Sequence, residues 1–328
     1  MGKVVTFGEA MIRLSPPEFR RLEQANSLTV GVGGAELNVA VGLARLGTAS
    51  SWVSRLPANP LGYLCRNWAR AMGVDTSYIV WSKEERMGLY FVEFGAAPRA
   101  SSVLYDRAHS AMSRLEPGMV DWYGALSGAA WFHTSGITPA LSDSCAEATR
   151  EALEAAKKAG CTVSYDLNYR ARLWPEEKAR RVQAPLMEYV DVLFTTEEDT
   201  ARVFNIREQT YEQVAVKLSQ EFGFKAVVIT LREDLSVWRN RWSALVYADG
   251  QHYRGPTYEV EIVDRVGAGD SCSAGYIHKI LQGATPQEAI DFGVAFSALK
   301  HTMPGDFNYA TADDVQRLLA GAGLRIAR

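Results

Sequence analysis

The sequence predicts an α/β fold, in which helices flank a doubly wound, mostly parallel sheet and a small β-sheet forms a lid. Three observations lead to this prediction. Apolar strand patterns alternate with amphipathic helix patterns through the middle of the chain, between residues 129 and 231. A hairpin signal follows this region. Two other segments, residues 10–32 and 86–111, contain paired β patterns that interrupt the alternation, and we expect them to form the lid.

Composition limits the classes of function. The chain has 328 residues, of which 47% are hydrophobic, enough for a large α/β domain with a small one attached. Its net charge of −3 argues against a nucleic-acid partner. Because there is no run of about 18 apolar residues and no signal-peptide pattern at the start, we expect no membrane association. The four cysteines are scattered, which favours a cytoplasmic protein without disulfides or a zinc site.

The first predicted elements are a strand at residues 4–8 and a helix at residues 39–46, which ends at Gly47. A glycine-rich turn precedes this helix. We assign residues 1–9, 33–85 and 112–328 to the main α/β domain and residues 10–32 and 86–111 to the lid.

The middle of the chain gives the strand–helix alternation. The predicted strands cover residues 129–136, 161–166, 191–196 and 226–231, and the predicted helices cover residues 142–159 and 211–221. Ligands of such sheets bind beyond the carboxyl ends of the strands. Asp166, Asn168 and Arg170 follow one strand, and residues 196–199 follow the next, so we expect both groups at the ligand site.

Two local signals define the end of the chain. Asp249-Gly250, between two apolar segments, predicts an antiparallel hairpin at the edge of the sheet. Thr285, Pro286 and Glu288 have the spacing of an N-cap, a first-turn proline and a capping box, which predicts the start of a helix.

The segment Asp264-Arg265-Val266-Gly267-Ala268-Gly269-Asp270 runs into a helix of small residues that we expect to begin at Ser271. The two glycines let the backbone turn tightly against a ligand, and the N-terminus of the helix favours an anion. Asp270 at the edge of such a site suggests a base that removes a proton from a hydroxyl group attacking phosphorus. The alternative is an ordinary strand-to-helix turn in which Asp270 starts the helix.

A second glycine-rich turn, Gly33-Gly34-Ala35-Glu36-Leu37-Asn38, also precedes a helix. Gly33 and Gly34 could bring backbone N–H groups against a ligand, and Asn38 could reach a hydroxyl group. The turn is not the dinucleotide fingerprint, because Glu36 stands where the third glycine would be, and the chain has no Walker-type phosphate loop. The alternative is close helix packing at the glycine pair.

Together these two segments resemble, in sequence, order and separation, the two signatures of the PfkB (ribokinase-like) family of sugar kinases. The resemblance covers essentially the whole chain and implies a ribokinase-like fold. Glu36 after the glycine pair is typical of the 2-keto-3-deoxygluconate (2-dehydro-3-deoxygluconate) kinases of that family. So are Gly88-Leu89-Tyr90, residues 135–141, residues 166–170 and Pro304-Gly305-Asp306-Phe307-Asn308.

The resemblance implies roles for individual residues. Asp270 would be the general base, and Gly267, Ala268 and Gly269 would hold the transferred phosphoryl group. Arg107 and Arg170 would bind the carboxylate of the sugar acid, and Tyr90 and Tyr105 would close over it. Further substrate-binding residues would be Gly33, Gly34, Asn38 and Asp306. The cofactor would be ATP with Mg²⁺, and the nucleotide would contact Asn168, Thr196, Gly267 and Gly269.

The chain departs from the family pattern in three places. Thr196-Glu197-Glu198-Asp199 stands where the family has an N-x-x-E motif, near which it holds Mg²⁺ largely through water. Asp199 can still accept a hydrogen bond from a metal-bound water, but its side chain reaches less far. Residues 232–236 replace a glycine-containing nucleotide loop. Arg265-Val266 stands where some relatives have threonines beside a monovalent-cation site, which leaves activation by K⁺ open.

Four functions are compatible with parts of this pattern. The full motif set favours an ATP-dependent kinase of 2-keto-3-deoxygluconate. A neutral-sugar kinase such as a fructokinase would share the fold and the base. An intact Asp270 argues against a non-catalytic sugar-binding relative, and the missing glycine fingerprint argues against an NAD-dependent dehydrogenase. Apolar residues on the lid strands, among them Leu89, Phe91 and Val103, predict a homo-oligomer that forms through the lid.

Overall fold

A computed structural model describes residues 2–321 of the chain. In chain order the strands are β1 (Lys3–Phe7), β2 (Met11–Ser15), β3 (Thr29–Gly33), β4 (Ser50–Pro57), β5 (Ile79–Ser82), β6 (Leu89–Glu93), β7 (Ser102–Asp106), β8 (Ala129–Ser135), β9 (Thr162–Asp166), β10 (Val192–Thr195), β11 (Ala226–Ser236), β12 (Arg239–Ala248), β13 (Gln251–Arg254) and β14 (Tyr258–Glu261). The helices are α1 (Ala35–Arg45), α2 (Pro60–Ala71), α3 (Trp122–Leu126), α4 (Ile137–Ala140), α5 (Asp143–Lys158), α6 (Glu176–Leu186), α7 (Glu197–Phe204), α8 (Tyr211–Phe222), α9 (Ala268–Leu281), α10 (Pro286–His301) and α11 (Ala312–Leu319).

The large sheet has the strand order β13-β12-β11-β10-β9-β8-β1-β4-β5, and β14 also pairs with β12. The neighbouring strands β11, β10, β9, β8, β1, β4 and β5 of this sheet run parallel to one another. Strands β12 and β13 form an antiparallel edge. The strand order reverses beside β1, where a doubly wound sheet opens a crevice at its carboxyl ends.

Helices cover both faces of this sheet, which explains why its parallel strands are apolar on both sides. One core contains residues of α5, α6 and α8, and the other contains residues of α1, α9 and α10. The predicted α/β fold class is therefore confirmed.

The lid is a separate four-stranded sheet with the order β3-β2-β6-β7. The pairs β2–β3 and β6–β7 are antiparallel, and the central pair β2–β6 is parallel. Its strands come from residues 10–32 and 86–111, the two segments that interrupt the strand–helix alternation of the main sheet. Met11, Tyr90 and Val92 lie on its buried side, whereas Leu28, Val30 and Leu104 are exposed. The boundaries assigned to the two domains stay a prediction.

Three predicted boundaries are wrong. Helix α1 begins at Ala35, one turn before residue 39, because the polar side chains of Glu36 and Asn38 lie in its first turn and hide the apolar periodicity. Helix α9 begins at Ala268, not Ser271, so Asp270 lies inside its first turn. Strand β11 continues past residue 231 because residues 232–236 pair with β12 in a long hairpin.

The other local signals are confirmed. Asp249 and Gly250 both have positive φ, 52° and 74°, as a two-residue hairpin turn requires. Thr285 and Glu288 form the capping box of α10. Among residues 2–321, none of the helices has both the length and the apolar character that crossing a bilayer requires. The cytoplasmic location stays a prediction.

Candidate active site

A cleft of about 610 Å³ lies between the carboxyl ends of the central strands, the lid and the N-terminus of α9. Every residue that the sequence analysis assigned to a site lines this cleft. These residues are Gly33, Gly34, Asn38, Tyr90, Tyr105, Arg107, Asn168, Arg170, Thr196, Asp199, Gly267, Ala268, Gly269, Asp270 and Asp306. Their common location is a finding, whereas their individual roles stay predictions.

The turn before α9 has the geometry of an anion site. Gly267 is the N-cap, with a φ of 85°, and a side chain there would strike the backbone carbonyl of Asp306. A side chain at Gly269 would meet no atom within 4 Å, so that position opens onto free space. The first N–H groups of a helix have no intrahelical partner. The N–H of Ala268 already donates to the Arg265 carbonyl at 3.3 Å, so those of Gly269 and Asp270 are the ones available to an anion in the cleft.

Asp270 lies on the first turn of α9, and its Oδ2 accepts a hydrogen bond of 2.7 Å from Nδ2 of Asn38. Loss of hydration, and to a smaller extent the Glu36 carboxylate, raise the pKa of Asp270 to about 7 against the opposing effect of this hydrogen bond. A carboxylate with a pKa near neutrality is suited to general-base catalysis. This geometry favours a catalytic residue over an ordinary helix starter.

The glycine turn before α1 is shaped first by packing. A side chain at Gly33 would strike the Asp306 carboxylate, and one at Gly34 would strike the backbone of Glu9 and Ala10. The close-packing alternative thus accounts for both glycines, although both also line the cleft. The two glycine-rich turns meet at Asp306, which contacts Gly33 through its side chain and Gly267 through its carbonyl.

Glu36 anchors the start of α1 to the carboxyl end of β8. Its Oε1 accepts hydrogen bonds from the backbone and hydroxyl of Ser135, at 3.0 and 2.6 Å, and from the hydroxyl of Thr138 at 3.0 Å. Burial raises the pKa of Glu36, and these hydrogen bonds oppose the shift. Glu36 therefore fixes the backbone that carries Asn38 toward Asp270.

The lid contributes two tyrosines and an arginine. Tyr90 and Tyr105 face each other across β6 and β7, with ring centroids 6.1 Å apart. The Tyr90 hydroxyl is buried next to the Asp306 carboxylate, with which it interacts, but it forms no hydrogen bond of regular geometry with any of the described residues. Burial, and next the Asp306 carboxylate, hold the pKa of Tyr90 well above its usual value, so the phenol stays protonated. A buried hydroxyl that forms no regular hydrogen bond can still donate to a polar ligand in the cleft.

Arg107 is already oriented by an ion pair. Its Nε donates to Oε2 of Glu9 at 2.8 Å, and its Nη2 contacts the same oxygen. Ser110 donates to the other oxygen of Glu9. This contact holds the guanidinium at the cleft and leaves its other N–H donors for a ligand.

Two acidic side chains, Asp166 and Asp199, lie near each other beyond the carboxyl ends of β9 and β10. Burial raises the pKa of Asp166 and of Asp199, and the positive charge of Arg170 opposes both shifts. Asn168, with a φ of 40°, donates its N–H to Asp166 at 3.2 Å. Thr196 caps α7 by accepting the N–H of Asp199 at 3.0 Å.

These side chains fit Mg²⁺ that is bound mainly through water. Within the described part of the chain, no three acidic, histidine or cysteine side chains are grouped so as to hold a metal. Mg²⁺ keeps several waters and binds through one or two carboxylates together with substrate phosphates. Asp199 at the rim of the cleft suits this mode.

Sequence reasoning missed Arg13. This residue of β2 is buried, and its guanidinium pairs with Asp264 at 2.6 Å and with Asp306 at 2.8 Å. It therefore connects the lid to both loops beside the anion site. A lone arginine in a lid strand gives no local signal of this role, because both partners are distant in sequence.

Comparisons with known proteins agree with this geometry. The model of the pfkB family of carbohydrate kinases matches residues 1–311. The 2-dehydro-3-deoxygalactonokinase of Haloferax volcanii is 40% identical over 326 residues, which cover 99% of each chain. The 2-dehydro-3-deoxygluconokinase of Thermoproteus tenax is 31% identical, over 93% of this chain and 90% of that protein.

Among solved structures, that of 2-dehydro-3-deoxygluconokinase from Thermotoga maritima is similar over its full length. It has a TM-score of 0.95 and 46% identity, with 98% of each chain covered. The fold, the cleft and these similarities lead to one conclusion: this chain belongs to the pfkB family of carbohydrate kinases.

Proposed function

We propose that this kinase transfers the γ-phosphoryl group of ATP to the primary hydroxyl group of 2-keto-3-deoxygluconate. The products are 2-keto-3-deoxy-6-phosphogluconate and ADP. The observation that carries the proposal is Asp270, whose pKa is about 7, on the first turn of a helix that faces a cleft lined by arginines and tyrosines.

In this reaction Asp270 takes the proton of the sugar hydroxyl as its oxygen attacks the γ-phosphorus. A bond forms between that oxygen and phosphorus, and the bond from phosphorus to the bridging oxygen of ADP breaks. Asn38 holds the Asp270 carboxylate in place. The N–H groups around Gly267, Ala268 and Gly269 stabilise the charge on the phosphoryl oxygens.

The nucleotide belongs on the side of the cleft formed by the ends of β9 and β10. Asn168 and Thr196 lie there, and Asp199 would bind a water molecule of Mg²⁺. When bound, Mg²⁺ neutralises the phosphate charges. Arg232 also lines this side, whereas Glu233 pairs with Arg241 in the long hairpin.

The acid group of the substrate would bind at Arg107, with Arg170 as a second cation. A guanidinium matches a carboxylate in shape and charge. The buried Tyr90 hydroxyl, and Tyr105 beside it, would hydrogen-bond the sugar from the lid. Gly33, Gly34 and Asp306 would border it from below.

The galactonate epimer, 2-keto-3-deoxygalactonate, is the second candidate substrate. The observation that favours it is the 40% identity to a relative named 2-dehydro-3-deoxygalactonokinase. The two sugar acids share the carboxylate and the primary hydroxyl group, so the proposed machinery serves both. They differ in the direction of one hydroxyl group.

An ADP-release assay with Mg-ATP tests the proposal. The panel contains both keto-deoxy acids, fructose and ribose, with Asp270→Asn as the variant without a base. We expect activity on the keto-deoxy acids, and a loss of about 10²- to 10⁴-fold in the variant. Activity on fructose or ribose alone would refute the substrate assignment, and full activity in the variant would refute the base.

The carboxylate assignment needs a separate variant. Arg107→Met should raise KM for the keto-deoxy acid by about 10- to 100-fold, because hydrogen bonds to charged groups contribute about 1.5–3 kcal/mol. KM for ATP should stay unchanged. Arg317→Met, which removes an exposed arginine of α11, is the matched control. An unchanged KM for the acid in Arg107→Met would show that its carboxylate binds elsewhere.

A further inference from the structure

Lys300 is a fully buried lysine for which the proposed reaction gives no role. It lies in the last turn of α10 and has no exposed surface. Its Nζ donates to the backbone carbonyl of Asp264 at 3.2 Å and to that of Met303 at 3.1 Å. A buried ammonium is costly unless oxygen atoms replace its hydration. Here backbone carbonyls do so.

These two carbonyls belong to the two loops that shape the anion site. Residues 264–267 lead into α9, and residues 303–306 follow α10. Asp264 also joins the loops through its side chain, which accepts the N–H of Val266 and the N–H of Gly305, both at 3.0 Å. Lys300 thus lies where the loop of Gly267 meets the loop of Asp306.

The charges around Lys300 are balanced. Arg13 pairs with both Asp264 and Asp306, so two cations and two carboxylates share one buried region. Burial lowers the pKa of Lys300, and the charges of Asp264 and Asp306 oppose this shift. Without the lysine, the region would hold one cation against two carboxylates.

Backbone carbonyls are also the ligands with which proteins hold K⁺. The family resemblance placed a monovalent-cation site beside residues 265 and 266, next to Asp264. In this structure the ammonium group of Lys300 binds the Asp264 carbonyl, which directly precedes those residues, and the Met303 carbonyl. Carbonyls next to the expected cation site are therefore already bound by a cation of the chain itself.

We propose that Lys300 is a positioning residue that serves as a built-in monovalent cation, holding the two loops of the anion site together and making the kinase independent of K⁺. The alternative is a lysine that only stabilises the end of α10. The role in catalysis rests on the proposed function, whereas occupation of the carbonyl site by the ammonium group does not.

Chemical rescue separates the two interpretations. Lys300→Ala removes the ammonium and opens a space lined by carbonyls, into which K⁺ or NH₄⁺ fits. Lys300→Met removes the charge but keeps the space filled. Lys3→Met is the matched control, because Nζ of Lys3 also donates to a backbone carbonyl, that of Ala125, away from the cleft.

Each protein is assayed in choline chloride and in potassium or ammonium chloride at equal ionic strength, with the sugar acid that the wild type phosphorylates best. Thermal unfolding is followed in the same solutions. We expect the wild type and Lys3→Met to be indifferent to K⁺. Lys300→Ala should lose at least about tenfold in kcat, corresponding to one hydrogen-bonded charge, and recover most of it in K⁺ or NH₄⁺. Lys300→Met should lose activity without recovery.

Several results would overturn the proposal. Activation of the wild type by K⁺ would mean that a free cation is still required. Activity loss in Lys300→Ala without rescue, or failure of both variants to fold in any of the salts, would assign Lys300 to stability alone. An unchanged kcat would assign it no role. If the wild type phosphorylates none of the sugars, the proposed function fails, and thermal unfolding then tests the built-in cation. A rise in the unfolding temperature of Lys300→Ala that is specific to K⁺ and NH₄⁺ supports the built-in cation. The absence of such a rise refutes it.

Discussion

Asn38 controls the protonation of the proposed base, so Asn38→Ala should move the pH dependence of the reaction. The Asn38 amide donates to Oδ2 of Asp270 at 2.7 Å and lowers its pKa. A hydrogen bond to a charged group contributes about 1.5–3 kcal/mol, and one pKa unit corresponds to about 1.4 kcal/mol. Removal of the amide should therefore raise the pKa of Asp270 from about 7 to about 8–9.

The direction in which the pH dependence moves follows from the role of Asp270 as the base. Asp270 acts when it is deprotonated, so kcat/KM falls as the pH drops through its pKa. At pH 7 about half of the wild-type carboxylate is ionised, compared with about 1–10% in the variant, which predicts a loss of roughly 5- to 50-fold at that pH. At pH 9 and above, the variant should approach the wild-type value.

The assay is kcat/KM for the sugar acid from pH 5.5 to 10, at saturating Mg-ATP. Arg45→Ala is the control on the same helix, since its guanidinium donates to the Tyr309 carbonyl away from Asp270. The control should keep the wild-type profile. An acid limb that does not move in Asn38→Ala, or a loss of equal size at every pH, would refute the reasoning.

Three further predictions concern stability and assembly. Arg13→Met should lower the free energy of unfolding by about 3–5 kcal/mol in chemical denaturation, because it leaves two buried carboxylates without their arginine; a change below about 1 kcal/mol would contradict this. Gly267→Ala should lower the free energy of unfolding by about 1–3 kcal/mol, because residue 267 has a positive φ. Gly269→Ala should unfold at the wild-type temperature, because a side chain there meets no neighbour. Equal unfolding temperatures of the two variants would contradict this. If the exposed lid forms a homo-oligomer, light scattering should give a multiple of 36.2 kDa that Leu104→Lys reduces, and a wild-type mass of one chain at micromolar concentration would exclude it.

Local patterns in the sequence were enough to predict many of the elements and the fold class. Strands such as β8 and β9 are apolar runs, α5 is amphipathic, and Asp249-Gly250 and Thr285 carry their own turn and cap signals. These features depend on neighbours within a few residues, so they can be recognised without the fold. The two glycine-rich turns also identified the region of the cleft, because close backbone approach to a ligand requires glycine locally.

Which side chains face each other depends on the assembled fold. Asn38 and Asp270 are 232 positions apart, and Arg13 and Asp306 are 293 apart. No local pattern encodes such pairs, because the strand order brings them together only after the sheet and lid have assembled. The pKa of Asp270 and the burial of Lys300 depend on the same assembly, since hydration and charge are set by neighbours in space rather than along the chain.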